Sequence, residues 1–139
     1  MKTTSAFAAG LAALLLSAGG ARAQDPGRCG DMPNQMEANR CVAEAFAKAD
    51  AELNRTYGEL RAKLDGAGQR NLVAAQRAWI AFRDAECNLR TGYDPADPAA
   101  SGTIAPMLIG LCRTDLTRQR TADLKAQIRC PGGDLSCTP

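Results

Sequence analysis

The 139-residue chain contains no histidine. That removes the commonest general base and with it every Ser/His or Cys/His catalytic pair. Its six cysteines never fall in a CxxC spacing. With no histidine to help, a zinc site is not expected, and nothing in the chain calls for another metal or a cofactor. Aromatics are scarce, with one Trp, two Tyr and three Phe, so no stacking set for nucleic-acid bases exists. The formal net charge is +2, without a Lys/Arg cluster or the basic excess that a nucleic-acid partner needs. No segment shows the alternation of a β-strand.

The first 23 residues read as a secretory signal. Lys2 gives a short basic region, an apolar run extends from about Ala6 to Ala18, and Ala21-Arg22-Ala23 forms an A-x-A cleavage site. The run is short for a membrane span. No cysteine stands where a lipoprotein would be acylated, since Cys29 is preceded by "DPGR". The expectation is a cut before Gln24 and a protein without a membrane anchor, periplasmic or secreted. Lys2 and Arg22 leave with the signal, so residues 24–139 balance their acidic and basic charges.

Three segments have helical periodicity. The first, about 34–65, starts at "NQME", where Asn34 can cap and Glu37 can reach back. Its apolar residues recur at Val42, Phe46, Ala49, Leu53, Tyr57, Leu60 and Leu64, in steps of three and four. Gly66-Ala67-Gly68 is read as the break. The second helix is expected over 69–90. "TGYDPADPAASG" interrupts it, and the third runs over 103–128, with Pro106 tolerable in its first turn. Its apolar residues, Leu108, Cys112, Leu116 and Leu124, are mostly four apart, so its stripe drifts. The fold class is all-α: a small disulfide-stapled up-down-up three-helix bundle occupying 24–139.

That topology constrains the six cysteines, which an exported domain should use as three disulfides. Cys41, Cys87 and Cys112 lie near one end. Cys130 and Cys137 follow the third helix at the other end, too far for cross-pairing. The expected pairs are Cys29–Cys41, Cys87–Cys112 and Cys130–Cys137.

"AQRAWIAFRDAEC", residues 75–87, mixes the only tryptophan with four charges. On a helical wheel Leu72, Trp79, Ile80, Phe82 and Cys87 share a broad face that also takes in Gln76, Arg83 and Glu86, while Arg77 and Asp84 point away. A buried arginine needs a partner. With the hairpin turning at about residue 67, Asp50 lies nearly level with Arg83. The expected structural polar network is an Asp50–Arg83 pair with Asn54 and Gln76 as neighbours.

These residues carry a resemblance. "NQMEANRCVAEAFAKADAELNRTYGEL", then "AQRAWIAFRDAEC", then Cys112, Leu116-Thr117, Arg120 and Leu124 resemble the LprI-like lysozyme-inhibitor family of bacterial exported proteins, over about residues 29–128. The resemblance implies a small helical protein with paired cysteines that binds lysozyme or another envelope protein and is not an enzyme. It carries over no inhibitory residues; the matching Asp50, Asn54, Trp79, Arg83 and Arg120 read as architecture. The balanced charge departs from what an inhibitor of a strongly basic lysozyme would use to gain on-rate. A local acidic feature exists in "GYDPADP", where Tyr93, Asp94 and Asp97 sit on the loop that Cys87–Cys112 would clamp. The function expected is stoichiometric inhibition without turnover. The alternative is a non-inhibitory binding or scaffolding module of the envelope. No carboxylate pair has glycosidase spacing.

Overall fold

The computed structural model describes residues 26–130. It contains three helices and, among the described residues, no strand: α1 (Gln35–Lys63), α2 (Gly66–Thr91) and α3 (Ala105–Arg129), with short 3-10 helices at Pro26–Asp31 and Pro98–Ser101. The path is up-down-up. Glu52 reaches Lys125 at 2.6 Å, and Gln35 reaches Met107, so α1 and α3 run parallel. Gln76 meets Arg120 while Cys87 bonds Cys112, so α2 runs against α3. None of these helices is long and apolar enough to cross a membrane.

The ends follow local rules. Asn34 caps α1, accepting from the Glu37 amide at 2.9 Å. Asp65 caps α2, accepting from Gly68 N at 2.7 Å, so the Gly-Ala-Gly segment opens α2 instead of separating the helices. Gly92 ends α2 in the left-handed region, φ 69°, where a β-carbon would be strained. Pro106 lies in the first turn of α3, where its missing N–H is no loss.

The main packing is α1 on α3; α2 lies more lightly against α3 and barely approaches α1. The buried stripe of α1 is Ala38, Val42, Ala45, Ala49, Leu53, Thr56 and Leu60. Compared with the sequence reading, Ala45 and Thr56 replace Phe46 and Tyr57, which are only half-buried. The stripe is turned by one residue because small side chains face α3 and the rings flank the seam. α3 answers with Ala105, Ile109, Thr114, Leu116, Thr117, Thr121 and Leu124. Two of these threonines turn their hydroxyls back onto their own helix: Thr114 donates to the Gly110 carbonyl at 2.7 Å and Thr121 to Thr117 at 2.9 Å. Their methyl groups are then free to pack. Gly110 sits so close to α1 that a β-carbon there would stand 2.3 Å from Val42 Cγ1.

The large apolar side chains gather toward the α1–α2 turn. Leu53, Leu60, Leu72 and Leu124 form the core, with Tyr57, Leu64, Trp79 and Ile128 packed against it. The opposite end is held covalently. Cys29–Cys41 ties the N-terminal 3-10 helix to α1, and Cys87–Cys112 ties α2 to α3, with Cα separations of 5.6 and 5.7 Å. Each cross-link can contribute about 2–4 kcal/mol, which a domain this small needs. The expected Cys130–Cys137 pair lies outside the described residues through Cys137.

Candidate functional site

Arg83 is the buried charge the sequence points to, at 8% exposure. Its guanidinium lies between two rings, 5.4 Å from the Phe46 centroid and 5.2 Å from that of Trp79. Each such contact contributes about 0.5–2 kcal/mol. Its ion partner is Asp84, with Arg83 Nη2 2.9 Å from Asp84 Oδ1. Arg113 of α3 approaches the same oxygen, 3.1 Å from its Nε. One carboxylate therefore joins two arginines and ties α2 to α3.

The expected Asp50–Arg83 pair is not formed. Asp50 instead accepts from Asn54 one turn along α1, at 3.0 Å. The cause is the hairpin centre. α1 stops at Lys63 and α2 begins at Gly66, so the turn is centred between Leu64 and Asp65. That places residue 46, not 50, level with Arg83, a shift of one helical turn. Gln76 also has a different partner, accepting from Arg120 Nε at 3.1 Å. Burial lowers the pKa of Arg120 from its ordinary value, and Asp123 opposes that shift. The four proposed network residues thus separate into an α1 surface pair, an α2–α3 bridge and the Arg83 cluster.

The parts that Phe46, Asp84 and Arg113 play in this cluster are not evident from the sequence, which puts Phe46 in the α1 apolar stripe and Asp84 on the solvent side. Adjacent residues on a helix do not normally face one another, so the wheel placed Asp84 outside. Only the approach of Arg113 from α3 gives that position a reason. The wheel also put Ile80 and Phe82 inward, whereas they are 42% and 53% exposed. Phe82 shares its outer side of α2 with Leu89, two turns later and 77% exposed, and with the exposed Ala74, Ala75, Ala78, Ala81 and Ala85. The alanine-rich arc itself bears no charge, the Glu86–Arg90 ion pair borders it beside Phe82 and Leu89, and α2 is held from its opposite side.

The acidic loop follows directly. Tyr93 is half-buried, while Asp94 and Asp97 are exposed. Asp94 Oδ1 accepts from the Ala96 amide at 2.8 Å, and Asp97 Oδ1 from Ala100 at 3.4 Å. Each carboxylate stiffens the loop with one oxygen and still presents its charge to solvent. Asn39 on α1 donates to the Thr103 carbonyl at 3.1 Å, holding the loop's return. The result is a braced, partly acidic projection beside an apolar helix face. Among the described residues no three Cys, Asp or Glu side chains converge as a metal cage.

Comparison with known proteins identifies the family. Residues 28–124 match the family described as lysozyme inhibitor LprI. An uncharacterized protein of Rhizobium meliloti (strain 1021) is 38% identical over 135 residues, covering 86% of this chain and 93% of its own length. No solved structure matches the chain. With the family match spanning both disulfides and the whole Arg83 cluster, the chain belongs to the LprI lysozyme-inhibitor family.

Proposed function

We propose that the protein is exported and inhibits lysozyme by stoichiometric binding, without turnover, and that the contact surface is the upper end of α2 with the loop beyond it. The family supports the inhibitor class. The observation that carries the surface is the juxtaposition of a largely apolar, exposed helix face with exposed carboxylates on a braced loop. Phe82 and Leu89 would supply apolar anchors of the kind that dominate binding energy. Asp94 and Asp97 would attract a basic enzyme and speed encounter. The Cys87–Cys112 bond links α2 to α3 on either side of the loop, so little ordering entropy remains to be lost on binding. Occlusion of the partner's cleft needs no cofactor and no catalytic group in this chain.

Titration of lysozyme activity with the disulfide-bonded protein tests the reading. Inhibition should saturate at a fixed stoichiometry. Phe82→Ala with Leu89→Ala should weaken it about 30-fold or more, the scale of an anchor residue. Asp94→Asn with Asp97→Asn should slow association and flatten its salt dependence. Full inhibition by both double variants would remove the surface assignment. Absence of inhibition by the native protein, across animal-type and phage-type lysozymes, would remove the function.

A further inference from the structure

The balanced charge of residues 24–139 conceals an uneven distribution. A plane at mid-height passes near Ala49 on α1, Ile80 on α2 and Arg118 on α3. Above it, on the side of the disulfides, the described residues carry eight acids and six bases. Below it they carry eight bases and five acids, with Arg118 at the plane a ninth base. The lower acids are mostly engaged. Glu52 binds Lys125 and Arg55 and Glu59 binds Arg55, whereas Asp65 caps α2 with one oxygen and keeps its negative charge at the exposed turn, so the cations there are only partly offset. Arg61, Lys63, Arg70, Arg77, Arg118 and Arg129 are all exposed, and none makes an ion pair among the described residues.

Four of these cations lie at the lower tip. Arg61 and Lys63 end α1, Arg129 ends α3, and Arg70 stands in the first turns of α2. The Arg70 guanidinium folds back toward the turn, with Nη1 3.7 Å from where a β-carbon on Gly66 would stand. The nine residues beyond Cys130 contain one charged side chain, Asp134. The tip lies about 40 Å from the acidic loop, at 1.5 Å per residue of α1. The screening length is about 8 Å at physiological salt. The upper acids therefore do not cancel the lower cations, and net neutrality says nothing about either end.

We infer that this tip docks on an anionic lipid surface. The cations come from three chain segments at the blunt end of a bundle, an arrangement suited to a plane of charge. A strand of nucleic acid would instead need a groove and stacking rings, and the rings near this end, Tyr57 and Trp79, pack on the core. Attraction of each cation to such a surface changes the partition coefficient about fivefold. The upper end, with its loop, would then face away from the membrane. This docking is independent of whether that end inhibits lysozyme.

Sedimentation of the disulfide-bonded chain from Gln24 onward with vesicles provides the test. Vesicles containing about a third phosphatidylglycerol should bind the protein, phosphatidylcholine vesicles should not, and salt should weaken binding. Arg61→Gln with Lys63→Gln should lower the partition coefficient about 25-fold. Arg40→Gln with Arg90→Gln, which removes two cations from the upper half, should leave it unchanged. Thermal melts of both variants verify that these exposed substitutions preserve the fold. Equal binding to neutral vesicles, equal losses in both variants, or binding of soluble polyphosphate without vesicle binding would each overturn the inference.

Discussion

Replacing Gly110 with alanine tests the closest approach in the bundle. An alanine β-carbon would lie 2.3 Å from Val42 Cγ1, against 3.4 Å or more for ordinary contact. About 1 Å of movement is required. Val42 is 1% exposed, and its β-branched side chain has one strongly preferred rotamer in a helix. The methyl cannot swing aside, so α1 and α3 must part and loosen the small-residue seam on either side. Overpacking of this kind costs about 1–3 kcal/mol. Alanine's better helix propensity returns up to about 1 kcal/mol. We expect a net loss of about 1–2 kcal/mol. At about 4–8 °C per kcal/mol for a domain near this size, the melting temperature should fall by roughly 4–16 °C. Differential scanning calorimetry of the oxidised protein would measure it. Adding Val42→Ala should recover part of the loss, with a coupling energy of about 1 kcal/mol or more. A Gly110→Ala protein as stable as the native one, or more stable, would refute the packing argument.

Three further outcomes follow from individual side chains. Thr117 is fully buried, and its hydroxyl has no hydrogen-bond partner; Thr117→Val should therefore be neutral or stabilise by up to about 1 kcal/mol in urea melts, and a loss above that would mean the hydroxyl is satisfied. Arg83→Lys replaces a planar cation stacked between two rings by a point charge, and should cost about 1–3 kcal/mol in the urea midpoint while changing the Trp79 fluorescence; an unchanged midpoint would show that the stack contributes nothing. Hydrogen bonds from Lys125, and then Arg55, hold the Glu52 carboxyl below its ordinary value of 4.5. Its contribution is thus present above that pH and is lost as pH falls through the depressed value. Glu52→Gln should flatten the acid limb of the stability profile, and a native-like limb in that variant would assign the dependence to other groups.

The helices, their order and two disulfides were legible in the sequence because each rests on local or topological rules. Periodicity, caps and prolines give the elements, and chain reach gives the pairs Cys29–Cys41 and Cys87–Cys112. The Arg83 partner was not legible, for a quantitative reason. A hairpin centre misplaced by two or three residues moves every level partner by about one turn, which exchanged Phe46 for Asp50. Reading Asp65 as a cap, with Gly68 donating to it, would have corrected the centre. The α3 seam was hidden differently. Thr114, Thr117 and Thr121 count as polar in a pattern search, yet Thr114 and Thr121 satisfy their hydroxyls within the helix, and the faces they present to α1 are apolar. Leu108, counted as part of the stripe, is 37% exposed. The loop carboxylates stood out by composition, but their role as caps of the loop's own amides depends on backbone geometry that the sequence does not display.

The way α2 is attached connects the fold to the proposed surface. α1 and α3 are joined by a continuous seam of buried alanine, threonine and aliphatic side chains, whereas α2 buries only Leu72, Arg83 and Cys87 along its 26 residues. Its hold comes from discrete ties: the Leu72 contact with the core, the Gln76–Arg120 bond, the Asp84 bridge to Arg113 and the Cys87 disulfide. A helix fixed by few points on one side leaves its other side uncovered, and here that side carries Phe82 and Leu89. The ties also explain why the charges of residues 75–87 are mixed with apolar groups. Arg83 and Asp84 secure the helix without the large hydrophobic area that would otherwise be needed, so exposed apolar residues on the outer face are not required for packing. Substituting Phe82 or Leu89 should therefore change partner binding far more than stability, the separation expected of an interaction surface and not of a core.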